Sequence, residues 1–144
     1  MNNILKKLRQ LLIVELDNYK LIYQVTLKES NCIKENNLAD LHLAIEEKEK
    51  LIEKIKEVEL SICSLKDNIE ETILQDDPEV NYLFLEIRGI LGKNILVDRE
   101  NEIKIKEIKE ELSRQLNNLN SINQGVKKYF SLKKPQARFL DKRR

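Results

Sequence analysis

With 144 residues, 41% of them hydrophobic and 35% charged, the chain suits narrow apolar stripes between wide solvated faces better than a large globular core. Trp is absent and aromatics make up only 5%, which argues against a large aromatic ligand pocket. The net charge of +1 hides an asymmetry: eight basic residues and one acidic lie from Lys127 onward, leaving 18 basic and 24 acidic in the other 126, the pattern of a tail that meets an acidic partner.

The opening MNNILKKLRQLLIVELDNY has a basic cluster and an apolar run, but LLIV is only four residues long before Glu15 and no small-residue cleavage site follows. It does not read as a signal peptide. No stretch approaches the roughly 18 uncharged apolar residues of a membrane span, so a soluble, cytoplasmic protein is expected. Leu5, Leu8, Leu12, Leu16, Tyr19, Tyr23 and Ile33 step by three and four, with Thr26 and Ser30 filling gaps. That spacing predicts a helix over about 3–35.

KENNLADL then reads as a tight reversal, because Asn36 and Asn37 tolerate left-handed backbone and can cap a following helix. A second helix is expected over 38–74. Its seam runs through Leu41, Ile45, Ile52, Ile55, Ile62, Leu65 and Ile69, with Lys48 and Glu59 at two seam positions. The charged middle, EEKEKLIEKIKEVE, reads as a solvated face with weak pairs such as Glu46 to Lys50.

Pro78 disfavours helical backbone at Asp77 and suits the first turn of the next element, leaving Asp76 or Asp77 as the cap. The block beyond it is the most apolar of the chain. Val80, Tyr82, Leu83, Phe84, Leu85, Ile87, Ile90 and Leu91 wrap around instead of forming a stripe. A short helix over 78–89 is expected here, although VNYLFLEI also suits a strand. GILGKN lacks the spacing and the hydroxyl of a phosphate-binding loop and reads as a linker.

A last helix is expected over 95–131, with a seam at Ile105, Ile108, Leu112, Leu116, Leu119, Ile122 and Val126, ending in Tyr129 and Phe130. Beside the seam, Asn117, Asn120 and Asn123 recur at a three-residue spacing and Gly125 comes next. All four disfavour helix, so the stretch either gains from tertiary contacts or frays. Pro135 is expected to end the helical region, leaving 132–144 as a basic flexible tail carrying Phe139 and Leu140. The fold class is therefore all-α: an elongated antiparallel hairpin or bundle of three long helices, with a short connecting helix and the basic tail. Residues 1–131 form one helical domain.

Catalytic chemistry finds little footing. Cys32 and Cys63 stand without a CxxC pattern beside a single His42, too few for a structural zinc site. They read as small apolar residues of a reducing compartment, near opposite ends of the hairpin and so not bridged. We expect no enzyme activity, no metal and no cofactor. Nucleic acid is not an expected partner either, because most of the chain is acidic and no stacking platform or helix-turn-helix occurs.

The order of elements resembles the FlgN family of bacterial flagellar export chaperones. The strongest likeness lies in Asn37–Ile55, where Asp40, Leu41, Ile45, Lys48 and Leu51 match the style of that family's second helix. It continues in Leu119–Val126 with its asparagines and in the closing ARFLDKRR. The resemblance spans nearly the whole chain. It implies a chaperone that binds the C-terminal helices of hook-associated (hook–filament junction) proteins, prevents their premature assembly and delivers them to the export gate.

The expected client-binding residues are Leu112, Leu116, Leu119, Ile122, Val126, Tyr129 and Phe130, joined by Phe139 and Leu140 of the tail. By the resemblance, Tyr129 is also the candidate contact with the export gate. The competing expectation is a structural coiled coil, a homodimer or bundle subunit whose stripes are satisfied by its own copies.

Overall fold

The computed structural model describes residues 2–131, so the basic tail lies outside the described residues. The fold is all-α, and the described residues contain no strand. Helix α1 spans Asn2–Lys34, α2 Leu38–Lys66, α3 Glu71–Asp76 and α4 Pro78–Ser131. The chain divides into two units, Met1–Glu102 and Ile103–Arg144, and α4 contributes to both.

The first reversal is built by the two asparagines. Asn36 takes the left-handed conformation, φ 56°, that an L residue adopts most readily when it is Asn. The Asn37 N–H donates to the Cys32 carbonyl at 2.8 Å and the Asn36 N–H to the Ile33 carbonyl at 3.2 Å. These two bonds close the last turn of α1 in a Schellman arrangement. The Asn37 side chain then caps α2 by accepting from the Asp40 N–H at 3.2 Å. The chain comes back antiparallel to α1, and contacts such as Lys28 to Glu47 at 3.8 Å and Tyr19 to Glu59 at 2.8 Å tie the pair.

Helix α2 stops at Lys66, well short of the expected end at residue 74. Asp67 and Asn68 are poor helix formers whose side chains compete with the backbone, and the Asn68 amide donates to the Ser64 carbonyl at 3.2 Å. Ile69 in this turn is buried, so the break brings an apolar side chain into the core. Asp77 is the cap of α4: its Oδ1 accepts from the N–H groups of Glu79 and Val80, each at 3.1 Å. Pro78 takes the first helical position, where a missing N–H does no harm.

GILGKN is not a linker, and the expected helices 78–89 and 95–131 are one. Helix α4 runs unbroken through Gly89 and Gly92. Each glycine weakens a helix by about 1 kcal/mol relative to Ala. Against that stand Val80, Leu83 and Ile87, buried on one face of the same helix and worth roughly 1.5–3 kcal/mol each. Burial prevails. The wrapped apolar block is thereby resolved into a core face and an outward face with Tyr82 and Leu85 exposed.

Within the first unit α1, α2 and the early part of α4 pack as an up-down-up bundle. Arg9 on α1 pairs with Asp77, and the hydroxyl of Ser30, further along α1, donates to the Asn101 side-chain oxygen at 2.8 Å. Helix α1 and the first-unit part of α4 therefore run in the same direction. One apolar cluster gathers Leu5, Leu8, Leu12, Leu16, Ile62, Ile69, Val80, Leu83 and Ile87. A second gathers Ile22, Val25, Ala44, Leu51 and Ile55. In the middle of α2 the seam lies one residue away from the expected one, since Leu51 is buried and Ile52 is exposed.

Candidate functional site

Two polar clusters interrupt the apolar layers of the first unit. In the lower one, Glu15 is buried on α1 and faces Glu59 of α2, which also accepts the Tyr19 hydroxyl at 2.8 Å. Burial and the adjacent Glu59 push the Glu15 carboxyl up to about 7, with Lys66 pulling weakly the other way. The Tyr19 hydroxyl is raised for the same reasons, burial first and then its bond to Glu59. In the upper one, the Lys48 ammonium joins buried Glu29 at 3.1 Å and pairs with Asp98 of α4. Burial raises the Glu29 carboxyl against the pull of Lys48. Beside it, the buried Asn101 amide donates to the Thr26 carbonyl at 3.1 Å.

The lower cluster joins α1 to α2, and the upper one joins α1, α2 and α4. Among the described residues, no group of three or more His, Cys, Asp or Glu side chains is placed to hold a metal ion, and Cys32 and Cys63 are free thiols. No helix among the described residues is long and apolar enough to cross a membrane. Glu46, the expected partner of Lys50, instead pairs with His42 at 3.0 Å on the surface.

The candidate site is a helix face. Along α4, burial recurs at helical spacing at Val80, Leu83, Ile87, Asn94 and Asn101, then weakens to half-burial at Ile105 and Ile108. From Lys109 to Tyr129 every residue is exposed, although the apolar spacing goes on. Leu112, Leu116, Leu119, Ile122, Val126 and Tyr129 are between 45% and 61% exposed. No charged residue occurs from Gln115 to Val126; amides, one serine and Gly125 flank the row. Nothing within 4 Å would meet a Cβ at Gly125, so the face is open there.

Known families, characterised proteins and solved structures offer no match to this chain.

The six expected client-binding residues from Leu112 to Tyr129 thus lie on one exposed helix. Phe130 is carried on the last turn of α4, whereas Phe139 and Leu140 fall outside the described residues. What such a face can do chemically is bind. A row of Leu, Ile and Val at helical spacing, bordered by uncharged amides, accepts an amphipathic helix laid along it. Sequence reasoning misses the buried carboxyl of Glu15, which sits in a solvated-looking ELDNYK run. Lys48 and Glu59 are legible as charged residues at seam positions, and both serve as the α2 anchors of the polar clusters.

Proposed function

We propose that this chain is a non-catalytic, cytoplasmic export chaperone of the FlgN type. It binds the C-terminal helices of hook–filament junction proteins, holds them unassembled and hands them to the export gate of the flagellar type III secretion apparatus. The observation that carries the reading is the exposed apolar row from Leu112 to Val126, on a helix whose earlier turns bury the same seam. Contiguous exposed apolar surface of this kind marks a partner site.

The energetics suit a stable carrier–client complex. Five half-exposed side chains offer roughly 100 Å² each, so about 500 Å² on this side supplies on the order of 12 kcal/mol gross at 25 cal/mol per Å². Association and ordering remove about 4–15 kcal/mol, and the client's own apolar face adds a similar gross gain. The balance, roughly 9–20 kcal/mol, places sub-micromolar or tighter binding within reach. Tyr129, at the end of the row, is assigned the contact with the export gate.

Titration calorimetry with a junction protein, intact and truncated before its C-terminal helix, tests the reading. Binding of the intact client, its loss on truncation and its loss in a Leu119→Asp, Ile122→Asp variant are the expected results. An intact client that gives no heat, or one that binds the variant equally well, refutes it.

A further inference from the structure

The exposed row is the continuation of a heptad that starts at the cap of α4. Counting Asp77 as the first core position, the alternate positions are Val80, Ile87, Asn94 and Asn101, all buried within the first unit. The same register then places Ile105, Ile108, Leu112, Gln115, Leu119, Ile122 and Val126 on one seam. A strict seven-residue repeat is the period of a coiled coil, in which another helix covers the seam. In this stretch it carries a single polar core residue, Gln115.

We propose that the 105–126 seam of α4 pairs with the same seam of a second copy, parallel and in register, when no client is bound. The surface is large enough. Leu112, Leu119, Ile122 and Val126 on each copy, at roughly 100 Å² apiece, with Ile105 and Ile108 adding about half as much each, give about 1,000 Å² in total, near the lower bound for a specific interface. No like charges meet between Gln115 and Val126, because that stretch has none.

Direction is set by Gln115. In the parallel pair it meets Gln115 of the second copy, and two amides satisfy one another. In any antiparallel register of this heptad each Gln115 lies against an apolar residue such as Leu119, and an unpaired buried amide lowers the association constant roughly five- to hundredfold. The parallel pair brings Lys104 of each copy toward Lys109 of the other, two solvent-exposed repulsions worth together about two- to fivefold. The amide term prevails.

The pairing stands on the seam alone; its use, keeping the apolar row covered until a client displaces the second copy, rests on the chaperone reading. Sedimentation of the full chain from micromolar to several-hundred-micromolar concentration tests the first. A reversible dimer is expected, with Leu119→Asp monomeric throughout and unchanged in helical content by circular dichroism. A wild-type monomer over that range, a trimer or larger assembly, or a dimer that survives Leu119→Asp overturns the proposal.

Spin labels at Lys106→Cys in a Cys32→Ser, Cys63→Ser background read the direction. A parallel pair holds the two labels side by side. An antiparallel pair that overlaps 105–129 sets them roughly 33 Å apart at 1.5 Å per residue, and that result also overturns the proposal. Added junction protein should convert the dimer to a one-to-one complex. A monomer that binds client removes the pairing and leaves the chaperone reading standing; a dimer that binds none removes the chaperone reading and leaves the pairing.

Discussion

The buried carboxyl of Glu15 makes this bundle lose stability as pH rises through neutrality. Three groups face it: Glu59 and Lys66 from α2, and Tyr19 from its own helix. Burial and Glu59 raise the folded-state value from 4.5 to about 7. A carboxyl raised on folding binds its proton more tightly in the native state. Its contribution is therefore complete below about 4.5 and disappears as pH climbs through about 7.

At about 1.4 kcal/mol per tenfold, the full effect is roughly 3 kcal/mol, of which about 2 kcal/mol falls between pH 5.5 and 8.5. Glu15→Gln keeps a hydrogen-bond donor toward Glu59 and removes the titration. Urea unfolding monitored by circular dichroism at both pH values measures it. The stability gain of the variant over the wild type should grow by about 2 kcal/mol from pH 5.5 to 8.5. Parallel pH profiles for the two proteins would show that Glu15 is charged in the native state and that the raised value is wrong.

Three further outcomes concern the helices themselves. Gly89→Ala and Gly92→Ala should each raise stability by up to about 1 kcal/mol in the same unfolding assay, because both glycines are helical and nothing within 4 Å would meet the added Cβ. A loss of stability at either would mean that the glycine is needed for something besides the helix. Lys48→Met strands the buried Glu29 beside Asp98 and should cost about 3–5 kcal/mol, the cost of breaking a buried pair from one side. Lys48→Met with Glu29→Leu and Asp98→Leu should recover most of that. Asp77→Ala removes the oxygen that accepts from Glu79 and Val80 and should destabilise by about 1–2 kcal/mol; Asp77→Asn, which can still cap, should lose less.

Local chemistry carries much of this molecule. The helical class is legible in spacings of three and four, the first reversal in Asn36 and Asn37, and the start of α4 in Asp77 and Pro78, because each depends on residues only a few positions apart. The row from Leu112 to Val126 is legible as an apolar seam for the same reason. Its exposure is not. The same spacing serves Val80 and Ile87, which are buried, and Ile122, which is not.

Tertiary packing also decided that α4 continues through Gly89 and Gly92, since burial of Val80, Leu83 and Ile87 outweighs a local cost of about 2 kcal/mol. It likewise decided that Leu51 rather than Ile52 turns inward, and that Glu15 enters the core. Neighbours along the chain set backbone preference and capping. Which of several comparable apolar or charged residues is removed from water depends on the rotation of one helix against two others, a long-range sum that no single stretch of the chain contains.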